Sequence, residues 1–168
     1  TLIRVCSGRE ASALKALGLS KTQAGELALN RELGTAAAAP AAEVYTGVLF
    51  ERLRLPDLPA ATRERVLIAS ALWGVVRPDD RIPAYRLSIG AALPRTPNLA
   101  AYWRPELRKA LPDDGLVIDM RSGPYAAAWT PRNAERVSVR AFTERRGERT
   151  AVSHMVKATR GDVARVLL

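Results

Sequence analysis

Cysteine and histidine are nearly absent: the chain holds one of each, Cys6 and His154. A lone cysteine closes no internal disulfide, and one Cys with one His is too few for a Cys/His zinc site. No metal site is expected. Aromatic residues make up only 5% of the chain. No apolar run approaches the roughly 18 residues that a membrane-spanning helix needs. The first residues lack the basic, apolar, small-residue order of a secretory signal. These absences exclude a disulfide scaffold and a helical membrane protein. The 168 residues, 48% hydrophobic and 26% charged, have the composition of a folded domain with room for a core. One domain is expected over residues 1–168, and its opening on Thr1 rather than Met fits part of a longer chain.

Lysine is scarce as well. Of the 26 basic residues 22 are Arg and 4 are Lys, against 17 acidic ones, for a net charge of +9. The excess is uneven: residues 1–84 carry a net of +2 and residues 85–168 a net of +7. An Arg-rich, Ala-rich composition also follows from a GC-rich coding sequence, so charge alone leaves the partner open. A basic surface concentrated in one half attracts polyanions, nucleic acid being the usual one.

Leu2–Val5 reads as a short strand or the end of a helix. Ser7 to Glu10 has capping-box spacing, and Ala11, Leu14 and Leu17 fall on one helical face that Gly18 ends. Ser20 to Gln23 is a second capping box, opening a helix through about Leu33, with Gly34 beyond it. Thr35–Ala42 is a low-complexity connector, either a helix broken at Pro40 or an ordered loop. Helices are expected over Glu43–Leu53 and Ala61–Trp73, with a turn at Pro56–Pro59 between them. Gly74–Pro97, rich in Gly, Pro and Asp, should be largely irregular. Asn98 caps a helix to Ala110. Leu116–Met120 is a compact strand. Arg136–Phe142 and Arg149–Ser153 alternate and suggest a hairpin across ERRGE, and His154–Leu168 has a helical apolar side. Helices first and strands later give a mixed α/β (α+β) class.

Three segments are candidates for function. Around Leu17-Gly18-Leu19, two helices meet in a turn that is either an ordinary helical hairpin or the core of a helix-hairpin-helix. In the second case the amides of Gly18, Leu19 and Ser20, with the charge of Lys21, face a phosphate. Ser70–Gly90 crowds Arg77, Asp79, Asp80, Arg81, Tyr85 and Arg86 into a Pro-rich stretch. Its guanidinium forks suit phosphate, and its aspartates either pin the loop or act on a ligand. Lys157 and Arg160, three apart, share a helix face that Arg165 extends. Trp73, Trp103, Trp129 and the four Tyr are candidates for base stacking, but core burial is the expectation for each.

The segments Pro40–Leu53, Ser70–Gly90, Leu99–Trp103, Leu116–Tyr125, Phe142–Glu148 and Lys157–Gly161 fall in an order that resembles the YaaA peroxide-stress family of bacterial proteins. The likeness spans about Ala13 to Arg165, and the central Ser-x-x-x-Gly-x-x-Arg-Pro-x-Asp…Tyr-Arg-Leu block is its most specific part. It implies a cytoplasmic protein that binds duplex or opened DNA through a helix-hairpin-helix and a basic cleft beside a small sheet. It also implies a protective role under hydrogen peroxide, linked to limiting iron and DNA damage, with no cofactor and no membrane. Carried onto this chain, the nucleic-acid-binding set is Gly18, Leu19, Ser20, Lys21, Arg77, Arg81, Arg86, Lys157 and Arg160. Three departures stand out. The family's N-terminal strand and Ser-Pro-x-Lys element have no match, Ser88 replaces a Glu, and Ile118–Ser122 lacks the Asn and Ala of the strand-end motif.

Two other readings accompany this one. An enzyme acting on a nucleotide or other phosphorylated small molecule in the Arg77–Arg86 loop would use Asp80, Tyr85 and Lys157 for acid–base work. A redox protein would use Cys6, but no second Cys is present to resolve a sulfenate, and a small buried thiol is the expectation for it.

Overall fold

The computed structural model describes residues 1–140, 142–145, 148–151 and 155–168. The fold is mixed α/β, with short helices and, among the described residues, four separate two-stranded sheets. The N-terminal segment is helical: α1 (Leu2–Cys6), α2 (Glu10–Leu17), a 3₁₀ helix (Lys21–Glu26) and α3 (Leu27–Arg31). Gly18 ends α2 in the left-handed region at φ 66°, as expected of a glycine cap. The Ser7 box does not form. Arg9 is the N-cap of α2, and the Ser7 hydroxyl turns back to the Ile3 carbonyl at 3.0 Å. At Ser20 the expected reciprocal bond is present: its backbone N–H donates to Gln23 Oε1 at 3.2 Å. The helix it opens begins as 3₁₀ and stops at Arg31, short of Leu33.

The middle of the chain departs most from the sequence-based expectation. Part of the low-complexity connector is a strand, β1 (Ala38–Pro40). The helix expected over Glu43–Leu53 is two: α4 (Ala41–Val44) and α5 (Val48–Leu53). They break at Tyr45-Thr46-Gly47, where the backbone turns Tyr45 inward. A second 3₁₀ turn (Leu55–Asp57) follows. The helix expected over Ala61–Trp73 survives only as α6 (Ala60–Arg63); the rest is a hairpin of β2 (Ile68–Ser70) and β3 (Gly74–Val76). Tertiary packing overrides helix propensity there. Gly74 sits at φ 75°, and the Trp103 ring lies so close that an added Cβ would meet it at 2.7 Å. That approach fixes the hairpin end, and Trp103 Nε1 donates to the Ala71 carbonyl at 2.9 Å. β4 (Arg81–Pro83) pairs antiparallel with β1. Gly74–Pro97, expected to be largely irregular, holds the two short strands β3 and β4; only from residue 84 on is it without helix or strand, and there Leu87, Ile89 and Ala91 alternate into the core.

In the second half, α7 (Leu99–Ala110) is capped by Asn98, whose side chain accepts the Ala101 N–H at 2.8 Å. β5 (Leu116–Asp119) forms as expected, with α8 (Gly123–Ala126) after it. The expected hairpin is shifted. β6 (Glu135–Ser138) pairs parallel with β5, aligning Val137 with Ile118, and β7 (Phe142–Arg145) takes its place against β8 (Glu148–Ala151). Arg146 and Gly147 of ERRGE, Val152, Ser153 and His154 lie outside the described residues. The tail is helical, α9 (Met155–Leu167).

Three buried clusters hold these pieces together. The first joins α1, α2 and α3 to Ala71, Leu87, Ile89 and Leu99. The second gathers Ala41, Leu53, Leu55, Ile68, Val76, Ile82 and Ala164. The third packs Leu107, Ala128 and Trp129 under β5. Cys6 is fully buried in the first, as expected. Trp73 is not in the core: it is 40% exposed, and Tyr102 is 52% exposed. Within the second cluster α9 lies directly on α5. A Cβ on Gly161 would strike the Leu49 carbonyl oxygen and come within 2.6 Å of Arg52 Cβ. Gly161→Ala is therefore expected to destabilise the fold by about 1–3 kcal/mol, read as a lower urea midpoint. Glycine at position 25, where an added Cβ meets nothing, should tolerate alanine with a small effect.

Candidate nucleic-acid interface

The Ser70–Gly90 stretch divides into two parts with different work. In the first, the Arg77–Asp80 turn is architecture. Asp80 Oδ2 accepts the Arg77 backbone N–H at 2.7 Å. The carbonyls of Asp80 and Pro78 accept the N–H groups of Ala41 and Ala42, both at 2.8 Å, so the turn satisfies the open amides of α4. Asp79 pairs with Arg63 at 2.8 Å, not with an arginine of its own loop. Arg77 donates to the Glu64 carbonyl at 2.8 Å and Arg81 to the Ala38 carbonyl at 2.5 Å.

In the second part, Tyr85 and Arg86 are turned toward other elements. The Tyr85 hydroxyl bonds the Tyr45 hydroxyl and the Ser70 hydroxyl, each at 2.7 Å, and Ser70 Oγ also accepts the Trp73 N–H at 3.0 Å. Three motif residues far apart in sequence thus form one hydroxyl chain tying the α4–α5 junction, the β2–β3 hairpin and the loop. Burial pushes the Tyr85 phenol up, and its Tyr45 neighbour adds to this; burial likewise raises Tyr45 and Tyr125. These phenols stay protonated at neutral pH and serve as hydrogen-bond groups.

Arg86 is placed by a residue that sequence reading missed. Asn30, fully buried on α3, donates to the Arg86 carbonyl at 2.7 Å and accepts the Arg86 N–H at 2.9 Å. The Arg86 guanidinium then meets Glu26 at 2.7 Å. Arg86 and the Gly18–Lys21 turn therefore lie on one region of the molecule. Lys21 and Lys157 are exposed. Arg160 donates to the Val139 carbonyl at 3.0 Å, which sets the late pair beside the end of β6. Arg165, proposed to extend that face, instead donates to the Leu53 carbonyl at 3.0 Å and caps α5. No hydrogen bond or ion pair joins Asp80, Tyr85 and Lys157, grouped by the enzyme reading, among the described residues.

A second missed cluster lies at the end of β5. Asp119 is almost wholly buried and receives Arg121 at 2.8 Å and Arg136 at 2.8 Å. Arg121 also bonds the Trp129 carbonyl and stacks over the Trp129 ring at 5.3 Å. Burial raises the Asp119 carboxyl, but the hydrogen bonds and charge of the two arginines more than reverse that and hold it at about 2. The sequence signal was Asp119-Met-Arg121, where one guanidinium reaches back two residues. A small cavity of about 70 Å³ lies near this cluster, lined by Arg108, Asp113, Trp129, Thr130 and Arg132. It is below the several hundred Å³ of a usual small-molecule site and lies outside the Arg77–Arg86 loop. Among the described residues no cluster of His, Cys, Asp and Glu is arranged to hold a metal, and no helix is long and apolar enough to cross a membrane.

Comparison with known proteins adds identity to this geometry. A family model described as "Peroxide stress protein YaaA" matches residues 1–168. A UPF0246 protein of Streptomyces coelicolor is 47% identical, covering 99% of this chain and 67% of its own length. A UPF0246 protein of Corynebacterium glutamicum is 42% identical over 92% of this chain and 65% of its own. One from Salinispora tropica is 36% identical over 77% and 53%. The chain spans about two thirds of the length of the first two relatives.

The Asp119 cluster has a pH signature. A carboxylate lowered on folding stabilises the protein above its unfolded pKa, and that stability is lost as pH falls through the folded value of about 2. Asp119 should contribute about 2 kcal/mol that disappears between roughly pH 4 and pH 2. Asp119→Asn should be less stable at pH 7 by about 2 kcal/mol, because the buried carboxylate's bonds to two partly exposed guanidinium groups are lost. It should also lose less stability on acidification. Parallel stability–pH curves for the two proteins would contradict this assignment.

Proposed function

The chain belongs to the YaaA peroxide-stress family, and we propose that it acts there as a DNA-binding protein. In this reading the Gly18–Lys21 turn works as a helix-hairpin-helix. Phosphates of duplex or opened DNA meet its amides together with Lys21, Arg86 and the Lys157–Arg160 face. Arg77 and Arg81 add charge from the far end of β4. The setting is the cytoplasm under peroxide stress, where occupancy of DNA limits iron- and peroxide-driven damage.

The observation that carries this reading is how the arginines are held. Arg77, Arg81 and Arg160 are each oriented by a backbone carbonyl. A guanidinium held by a neutral carbonyl is positioned but keeps its full charge, and the chain's net charge is +9. Among the described residues none of the three is ion-paired, and positioned guanidinium groups of this kind are what phosphate recognition requires. The family description supports the stress setting. The exposed Trp73 and Tyr102 are compatible with opened DNA, whose bases stack on aromatic rings.

Fluorescence anisotropy with single-stranded, duplex and bubble DNA across a salt series tests it. Neutralising about 4–6 phosphates gives a log–log salt slope of about −4 to −5. Lys21→Ala and Arg86→Ala should each weaken binding severalfold. No binding at low salt, or a slope near zero, would overturn the reading and favour a phosphorylated small molecule in the Arg77–Arg86 loop.

A further inference from the structure

We propose that Glu26 stands where a DNA phosphate would stand, and that by holding Arg86 it sets how tightly the protein grips nucleic acid. The inference rests on the DNA-binding reading. Among the described residues, Arg86 differs from the other arginines of the candidate interface. Arg77, Arg81 and Arg160 bond carbonyls, whereas Arg86 Nε meets a carboxylate, Glu26 Oε2, at 2.7 Å. The pair is at the surface, with the Arg86 side chain 49% exposed and Glu26 34% exposed. A guanidinium edge recognises carboxylate and phosphate oxygens by the same geometry.

The carboxylate is itself held from the other side. Glu26 Oε1 accepts from Gln23 Nε2 at 3.1 Å, and Gln23 Oε1 accepts the Ser20 N–H at 3.2 Å. A line of hydrogen bonds thus runs from the Gly18–Lys21 turn through Gln23 and Glu26 to Arg86, and the anion in that line is the protein's own. Asn30 grips the Arg86 backbone on both its N–H and its carbonyl. When Glu26 lets go, the guanidinium therefore remains beside the turn, free to take a phosphate. An exposed ion pair of this kind is weak enough for a polyanion to displace. In its place Glu26 cancels one charge and repels the incoming strand, so it weakens binding and favours release.

A double-mutant cycle tests this with a duplex oligonucleotide in anisotropy at one moderate salt concentration. Glu26→Gln keeps the side chain's shape and removes its charge. It should tighten binding about three- to fivefold and steepen the salt slope by about one phosphate, roughly 0.9. In an Arg86→Ala background the gain should vanish. Glu106→Gln, which removes one charge from the exposed pair with Lys109, should change affinity less than twofold. An equal gain with and without Arg86, or no gain, would overturn the proposal while leaving DNA binding standing. Absence of DNA binding by the unaltered protein would instead remove the reading on which it rests.

Discussion

The side-chain amide of Asn30 makes two hydrogen bonds to the backbone of Arg86, and the surface described above depends on them. The stretch from residue 84 to 98 has no ladder to satisfy its N–H and C=O groups, and buried backbone groups left without partners are costly. Asn30 offers one donor and one acceptor on a fully buried side chain, as a neighbouring strand would. Its Nδ2 also lies 3.4 Å from Cys6 Sγ, and Arg31 beside it bonds the Cys6 carbonyl at 2.8 Å. Helices α1 and α3 and the loop are therefore locked at one point. Leu87 and Ile89 bury themselves just past it, so packing and hydrogen bonding fix the same register.

From that point the remaining contacts spread in two directions. Toward the N-terminus, Glu26 and Gln23 connect Arg86 to the Gly18–Lys21 turn. Toward the sheets, Tyr85 bonds Tyr45 and Ser70, whose own elements are held by tight approaches at Gly74 and Gly161. Close packing at Gly161 and the Arg52–Asp162 pair at 2.7 Å seat α9, the helix carrying Lys157 and Arg160. Motif residues that look like chemistry in the sequence thus divide by role. Asp80, Tyr85, Gly74 and Gly161 build the frame, whereas Lys21 and Lys157 stay exposed and Arg77, Arg81 and Arg160 rest on backbone carbonyls.

Local signals in the sequence were read well where a single residue decides the geometry. Gly18 and Asn98 each act through their own backbone or side chain, and the structure places them as caps. The strand at Leu116–Asp119 and the tail helix were also legible from periodicity. The β2–β3 hairpin was not, because Ile68–Trp73 closes the helix-former-rich segment Ala61–Trp73 and the turn exists only under Trp103, 29 residues beyond Gly74. The parallel pairing of β5 with β6 was hidden for a like reason: alternation in Arg136–Ser138 fits either partner. Of the site, the basic residues and Tyr85 were visible, but Asn30, Glu26 and the Asp119 cluster were not. Each acts on a residue distant in sequence or paired by the fold, and an Asn in a short helix carries no local mark of that role.

The most direct test of this account is amide hydrogen exchange at Arg86 in the free protein. If Asn30 clamps the loop, the Arg86 N–H opens only when the helical hairpin unfolds, and its protection should match that of the amides of α2 and α3. Exchange as fast as that of an unstructured loop, with α2 and α3 still protected, would mean that the loop is not held there and that Arg86 has no fixed place on this surface.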